Sequence, residues 1–272
     1  SLVIAAAGDI ACEPGDERTS SSCHHRDTSD LLVSGGLAAV LPLGDLQYED
    51  GSLEKFKKSY DPTWGRVKDI THPAVGNHEY LTEDARGYFD YFRSAAGDSS
   101  RGYYSFDLDG WHLIALNSNC GAAGGCDAGS PQYDWLKADL AASNASCTLA
   151  YWHAPRFASG HYRNDSDYQP FWELLFDDGA EIVLNGHDHS YQRYAPMTPT
   201  GTRNDEKGIR EFVVGTGGKN HTAVDSSGTN REAAEDSTYG VLEVTLKDGS
   251  YEWRFVPDTR DGYTDTGSGS CH

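Results

Sequence analysis

Five times before residue 190 the chain runs through a short apolar stretch and stops on a side chain able to hold a cation. Leu2–Ala7 ends at Gly8-Asp9, and Ala39–Leu43 ends at Gly44-Asp45, with Tyr48 three residues on. Pro73–Val75 ends at Gly76-Asn77-His78-Glu79, Leu149–Trp152 at His153, and Ile182–Leu184 at Asn185-Gly186-His187-Asp188-His189. Short apolar runs bounded by turn residues read as buried strands. Open α/β sheets bind ligands beyond the carboxyl ends of their strands, and glycine there lets the backbone approach a ligand closely. A single such end reads equally well as a capping aspartate or a hydrogen-bonded loop histidine. Five in one structural position predict a shared site. At the last of them, extended backbone would put His187 and His189 on one face, about 7 Å apart at ~3.3 Å per residue.

The pattern between these ends sets the fold class. Further strands are expected at Tyr103–Leu108, Trp111–Asn117, Glu211–Val214, Tyr239–Leu246 and Tyr251–Val256, with His72–Val75 and Glu181–Leu184 framing two of the runs above. Asp109-Gly110 and Asp248-Gly249 read as hairpin turns. Helical patterns cover Thr28–Leu37, Leu53–Tyr60, Asp84–Ala95 and Tyr168–Phe176, and Ser130-Pro131 supplies an N-cap and first-turn proline for a helix to about Ser143. Strand and helix alternate over the first two thirds, and the last quarter is strand-rich. That predicts an α/β core whose sheets are covered by helices, and the chain divides at no linker, so 1–272 is expected to be one domain. The glycine-rich stretches Gly121–Gly129 and Ser226–Gly228 read as surface excursions. The tail DGYTDTGSGSCH is expected to be disordered unless Cys271 ties it down.

Composition narrows the partners. The net charge of −20 repels nucleic acid and anionic membrane surfaces. It also repels phosphorylated substrates unless bound cations reverse the local field. No apolar run reaches the roughly 18 residues of a membrane span. The chain opens on SLVIAAAG without Met, which reads as a trimmed mature chain whose first residues form a strand. Six cysteines lie in loop-like sequence and none forms a Cys-x-x-Cys pair. An even number in such places predicts disulfides and an exported, extracellular or periplasmic protein. Proximity in sequence suggests Cys12 with Cys23, Cys120 with Cys126 and Cys147 with Cys271.

The ligand types suit two metals. Carboxylates can bridge cations, imidazoles suit zinc and iron, and an amide oxygen adds a neutral donor. Two cations ~3.5–4 Å apart can clamp the attacking and leaving oxygens of a displacement at phosphorus. The stretches GDIA, GDLQY, GNHE, YWHAP and NGHDH, in this order over Asp9 to His189, resemble the calcineurin-like metallophosphoesterase superfamily. Tyr48, three residues after Asp45, resembles the purple acid phosphatases within it. Relatives with a histidine at the position of Ala11 use it as a ligand, and here the vacancy pairs with Tyr48. Purple acid phosphatases usually carry Gly at that position, so Ala11 is a small departure.

The resemblance implies a four-layer αββα sandwich, two mixed β-sheets flanked by helices, with a dinuclear metal site at the strand C-terminal ends. The first site would take Asp9, Asp45, Tyr48 and His189, and the second Asp45, Asn77, His153 and His187. A tyrosine phenol has a pKa near ~10, so holding it as phenolate calls for iron(III) at the first site. The second would take divalent Zn, Fe or Mn. His78 is expected to contact the phosphate and assist the leaving group, and His161 resembles a second substrate histidine. Glu79 and Asp188 are expected to orient ligands. The implied function is hydrolysis of small phosphomonoesters with metal-bound hydroxide as nucleophile. A phosphodiesterase or nucleotidase at the same centre is the alternative, and a non-catalytic metal-binding protein a third. The remaining histidines read as structural, and VVGTGGKN as a strand-end turn, because it lacks the Walker pattern.

Overall fold

The computed structural model describes residues 1–226 and 228–272; Ser227, inside the glycine-rich stretch expected at 226–228, lies outside the described residues. In chain order the elements begin β1 (Leu2–Ala7), α1 (His25–Val33), β2 (Ala39–Pro42), α2 (Leu53–Lys55) and α3 (Arg86–Phe92). They continue β3 (Tyr104–Leu108), β4 (Trp111–Ala115), α4 (Pro131–Ala142), β5 (Cys147–Tyr151), α5 (Gln169–Asp178), β6 (Ile182–Asn185) and β7 (Tyr191–Tyr194). The last quarter holds β8 (Arg210–Val214), β9 (Arg231–Glu235), β10 (Gly240–Lys247), β11 (Ser250–Pro257) and β12 (Thr266–Ser270).

The strands form two mixed sheets, ordered β12-β11-β10-β1-β2 and β3-β4-β5-β6-β8-β7-β9. β1 and β2 are parallel, as are β4, β5, β6 and β8 in turn. The side-chain period of two sorts each central strand between two cores. Leu149 and Tyr151 of β5, with Ile182 and Leu184 of β6, pack against Ile4, Val244 and Phe255 from the other sheet. Ala150 and Val183 face Leu136 and Leu140 of α4 and Phe171, Trp172 and Leu175 of α5. Helix α1 and an aromatic cluster of Phe56, Tyr60, Trp64, Tyr91 and Phe92 pack on the first core. The result is two mixed sheets face to face, flanked by helices.

Several expected boundaries move for local reasons. Ser130 does cap α4, its hydroxyl accepting from Tyr133 N at 3.3 Å. Asp109-Gly110 forms a tight turn, both residues having positive φ (51° and 87°). Helix α1 starts at His25 and stops before Gly35-Gly36 rather than reaching Leu37. The expected helix 84–95 is α3 with short 3₁₀ turns on either side. The expected strand 72–75 is an extended segment beside β2, donating from His72 N to Val40 O and from Ala74 N to Pro42 O. Pro73 has no N–H to complete a ladder.

β7, β9 and β12 are strands that the sequence pattern missed. β12 lies in the tail, and its TGSGS pattern hides its role. A Cβ on Gly267 would come within 2.2 Å of the Trp253 ring, and one on Gly269 within 2.4 Å of Tyr251. Only glycine lets this strand lie flat on those aromatics. All three disulfides form as expected, Cys12–Cys23, Cys120–Cys126 and Cys147–Cys271. The last, 124 residues apart in sequence, fastens β12 to the start of β5. A Cys147→Ser/Cys271→Ser variant is expected to lose about 2–4 kcal/mol of unfolding free energy in a denaturant titration, with faster amide exchange in β12. An unchanged midpoint would mean that strand pairing alone holds the tail.

Candidate metal centre

Every one of the five strand ends meets at one mouth between the sheets. The segments after β1 and β2 continue side by side, with Asp9 N donating to Gly44 O, Ile10 N to Asp45 O and Ala11 N to Leu46 O. Gly8 N donates to Val214 O at the end of β8, joining the sheets at this edge. The glycine turn after β8 closes over β1, with Gly217 N donating to Gly8 O and Lys219 N to Asp9 O. Asp9, Asp45 and His187 all hold positive φ (59°, 50° and 68°). Such backbone costs ~1 kcal/mol or more per residue and persists where the surroundings over-determine it.

The side chains gather into two linked groups. Around the Tyr48 hydroxyl lie Asp9 Oδ1 at 2.9 Å, His189 Nε2 at 3.1 Å and Asp45 Oδ2 at 3.2 Å. Around His153 Nε2 lie His187 Nδ1 at 3.0 Å, Asn77 Oδ1 at 3.1 Å and Asp45 Oδ2 at 3.1 Å. Asp45 Oδ2 belongs to both. The structure thus brings together all seven residues expected as metal ligands. His153 Nδ1 is already committed to Leu43 O at 2.8 Å, so its other nitrogen faces three lone-pair groups with at most one proton. Tyr48 has the same shortage. A cation in each group resolves it, and carboxylate, phenol, amide and imidazole donors suit zinc, iron or manganese.

Electrostatics follow the same logic. Burial pushes the Asp45 carboxyl up, but His153 in contact with it and His78 beyond outweigh burial and hold it well below the usual carboxylate range. Burial lowers His153, and Asp45 overrides that, pulling it up to about 9. Burial and then His153 push His187 down to about 3, which leaves it neutral with a free lone pair. Burial, then Asp45 and Asp9, drive the Tyr48 phenol well above its ordinary value. Ionising that phenol therefore needs a strong positive charge beside it.

The neighbours divide by what they touch. Glu79 does not touch a ligand side chain. Its buried carboxylate accepts from Gly76 N (2.8 Å), Asp45 N (3.0 Å), Leu46 N (2.8 Å) and Gln47 N (3.2 Å), fixing the backbone that carries Asp45. His78 donates its backbone N–H to Asp45 Oδ1 at 2.8 Å. Its Nδ1 meets Glu49 O, leaving Nε2 3.9 Å from Asp45 Oδ2 on the open side. The imidazole of His161 is exposed on the loop after β5. The residue after it, Tyr162, stacks on His187 with ring centroids 3.7 Å apart; the sequence offered it as a loop aromatic able to stack on a leaving group, not as a partner of His187. Lys219 lies 4.8 Å over the Tyr48 ring and pairs with Glu49; its signal was the VVGTGGKN turn, read for shape alone.

One expectation fails in detail. His187 and His189 do not lie on extended backbone, because β6 ends at Asn185 and two tight turns follow, Asp188 N to Gly186 O (2.8 Å) and Ser190 N to Asp188 O (2.7 Å). The imidazoles still reach the two halves of the centre, and Asp188 points away from both.

Known proteins share this arrangement of chain. Purple acid phosphatase 15 of Arabidopsis thaliana is 28% identical over 86% of this chain and 49% of its own length. Purple acid phosphatase 18 of the same plant is 28% identical over 96% of this chain and 56% of its own. The chain thus spans about half the length of these curated relatives. The purple acid phosphatase PPD1 from yellow lupin (Lupinus luteus) superposes with a TM-score of 0.82 at 18% identity, covering 99% of this chain and 53% of that one. The family description "calcineurin-like phosphoesterase" matches residues 2–191, the stretch that carries every strand end at the mouth, and to that family the chain belongs, with purple acid phosphatases as its relatives there.

Proposed function

We propose that residues 1–272 form one catalytic unit that hydrolyses small phosphomonoesters at a dinuclear metal centre. The observation that carries this is the shared oxygen: Asp45 Oδ2 lies 3.2 Å from Tyr48 Oη and 3.1 Å from His153 Nε2, at the junction of two otherwise separate donor groups. Asp9, Asp45, Tyr48 and His189 would hold iron(III), and Asp45, Asn77, His153 and His187 divalent Zn, Fe or Mn. When bound, the pair supplies an activated water and a positive field for the phosphoryl oxygens.

The chain's own groups do the rest. Glu79 fixes the Asp45 backbone and the His78 amide holds its carboxylate, so both donor groups are pre-set. His78 Nε2, free because Nδ1 is occupied, contacts the phosphate and gives a proton to the departing oxygen. His161 approaches the leaving group from the opposite loop. Three disulfides suit an exported setting. The deciding assay compares p-nitrophenyl phosphate with bis-p-nitrophenyl phosphate, with and without chelator. Faster turnover of the monoester, abolished by chelation, is expected; preference for the diester would favour the phosphodiesterase alternative.

The shared carboxylate makes a sharp test. Asp45→Ala is expected to empty both metal positions, measured by elemental analysis, and to abolish turnover; two equivalents of retained metal with normal turnover would sink the assignment. His78→Ala is expected to keep its metal but lose about 10²–10⁴-fold in kcat. That loss should shrink for p-nitrophenolate, which needs no proton to leave. Equal losses for good and poor leaving groups would reduce His78 to phosphate positioning. Reconstituted with iron under controlled redox conditions, the protein is expected to be coloured. Tyr48→Phe should remove the visible band while sparing part of the activity. A band that survives the substitution would take Tyr48 out of the first site.

A further inference from the structure

The carboxylate between the two site imidazoles turns its back on them. Asp188 is fully buried. Its Oδ1 accepts from His161 N at 3.0 Å and from Thr222 Oγ1 at 3.2 Å, and its Oδ2 accepts from Gln192 Nε2 at 2.7 Å. Backbone and carboxylate meet so closely at Gly160 that a Cβ there would lie 2.0 Å from Asp188 Oδ2. The same loop is steadied from behind by Gln192, whose Oε1 accepts from Ser159 N at 3.0 Å.

We propose that Asp188 is a positioning residue, a buried carboxylate that clamps the Gly160–Tyr162 backbone so that Tyr162 is held against His187 at the metal centre. The geometry gives the carboxylate a task that neither neighbour can do. His187 and His189 point into the mouth, whereas Asp188 points out of the same turn and takes hold of the loop. Tyr162, flat against His187 at 3.7 Å, is where the clamped loop returns to the centre. The loop and the His187 imidazole are therefore linked through two contacts, the Asp188 carboxyl group and the Tyr162 ring. The hydrogen bonds go to a buried carboxyl group, and a buried donor left without its acceptor carries a large penalty. Asparagine at 188 would keep the shape but turn an NH₂ group toward donors on one side or the other: His161 N and Thr222 Oγ1, or Gln192 Nε2. Specificity toward the leaving group would then depend on Asp188 and Gly160 without either touching substrate.

The kinetic part of this proposal rests on the phosphatase reading; the structural part does not. Two variants attack the contact from opposite sides, Asp188→Asn and Gly160→Ala. Each is expected to keep both metals and to speed amide exchange at residues 160–162 by more than about tenfold, the loss of a buried hydrogen bond. Each should raise KM for p-nitrophenyl phosphate roughly tenfold while kcat stays within about threefold, because His78 and the donors are untouched. Their effects should not add, since both remove one interaction. Unchanged exchange at 160–162 in Asp188→Asn overturns the proposal, as does loss of metal from that variant, which would make Asp188 a support of the imidazoles instead. If Asp188→Asn fails to fold, Gly160→Ala decides on the same readouts. A wild-type protein that hydrolyses no phosphomonoester overturns the phosphatase reading alone, and amide exchange then decides the clamp.

Discussion

One buried carboxylate accepts four backbone amides, and the rest of the mouth depends on it. Glu79 takes Gly76 N, Asp45 N, Leu46 N and Gln47 N. Its burial and the nearby Asp45 push its own carboxyl up to about 7, and the Gly76 and Gln47 amides pull the other way. Those amides belong to the turns after two neighbouring strands. Tying them together sets the distance between Asp45 and the Asn77-His78 pair, and with it the junction between the two donor groups. A Cβ on Gly76 would reach within 2.1 Å of Asp45 N, so the approach is possible only with glycine. The sequence Gly-Asn-His-Glu thus combines a close approach, a donor, an imidazole beside Asp45 and the anchor for the facing turn.

The centre also resolves the charge problem of an acidic chain. A net charge of −20 would repel any phosphate. At the mouth, Asp9 and Asp45 add to that field, and Lys219 is already paired with Glu49. Two bound cations would reverse the field of the Asp9 and Asp45 carboxylates at the mouth. The acidity then favours capture of the metals, and the metals permit capture of the substrate.

What the sequence revealed was local, and what it concealed was distant. Each strand end announces itself in four or five consecutive residues, so the ligand set was legible without knowing which strands are neighbours. Nearby cysteines such as Cys120 and Cys126 pair across a short loop for the same reason. The role of Glu79 was hidden because its partners are backbone amides up to 34 residues away, which have no side-chain signature. Asp188 was read as an orienting group for its neighbours in sequence, yet it holds a loop 27 residues upstream. β12 went unseen because its glycines are shaped by Trp253 and Tyr251, and a strand built on glycine carries no β-propensity. The bend at His187 escaped because the turn that makes it is imposed by Asp9 Oδ2, which accepts from His187 N at 2.8 Å.

The donors are unevenly sheltered, and that has a kinetic consequence. Asp9, Tyr48, Asp45 and His153 are buried, His187 and His189 are half-buried, and Asn77 alone among the seven is exposed. A cation departs only as fast as water or a competing ligand can reach its coordination sphere. With the proposed occupancy, water would reach the coordination sphere first at the exposed Asn77, which makes that half the more labile one. Its occupant would then record the medium the protein last passed through, so preparations of one chain could differ in their outer metal while sharing the inner one.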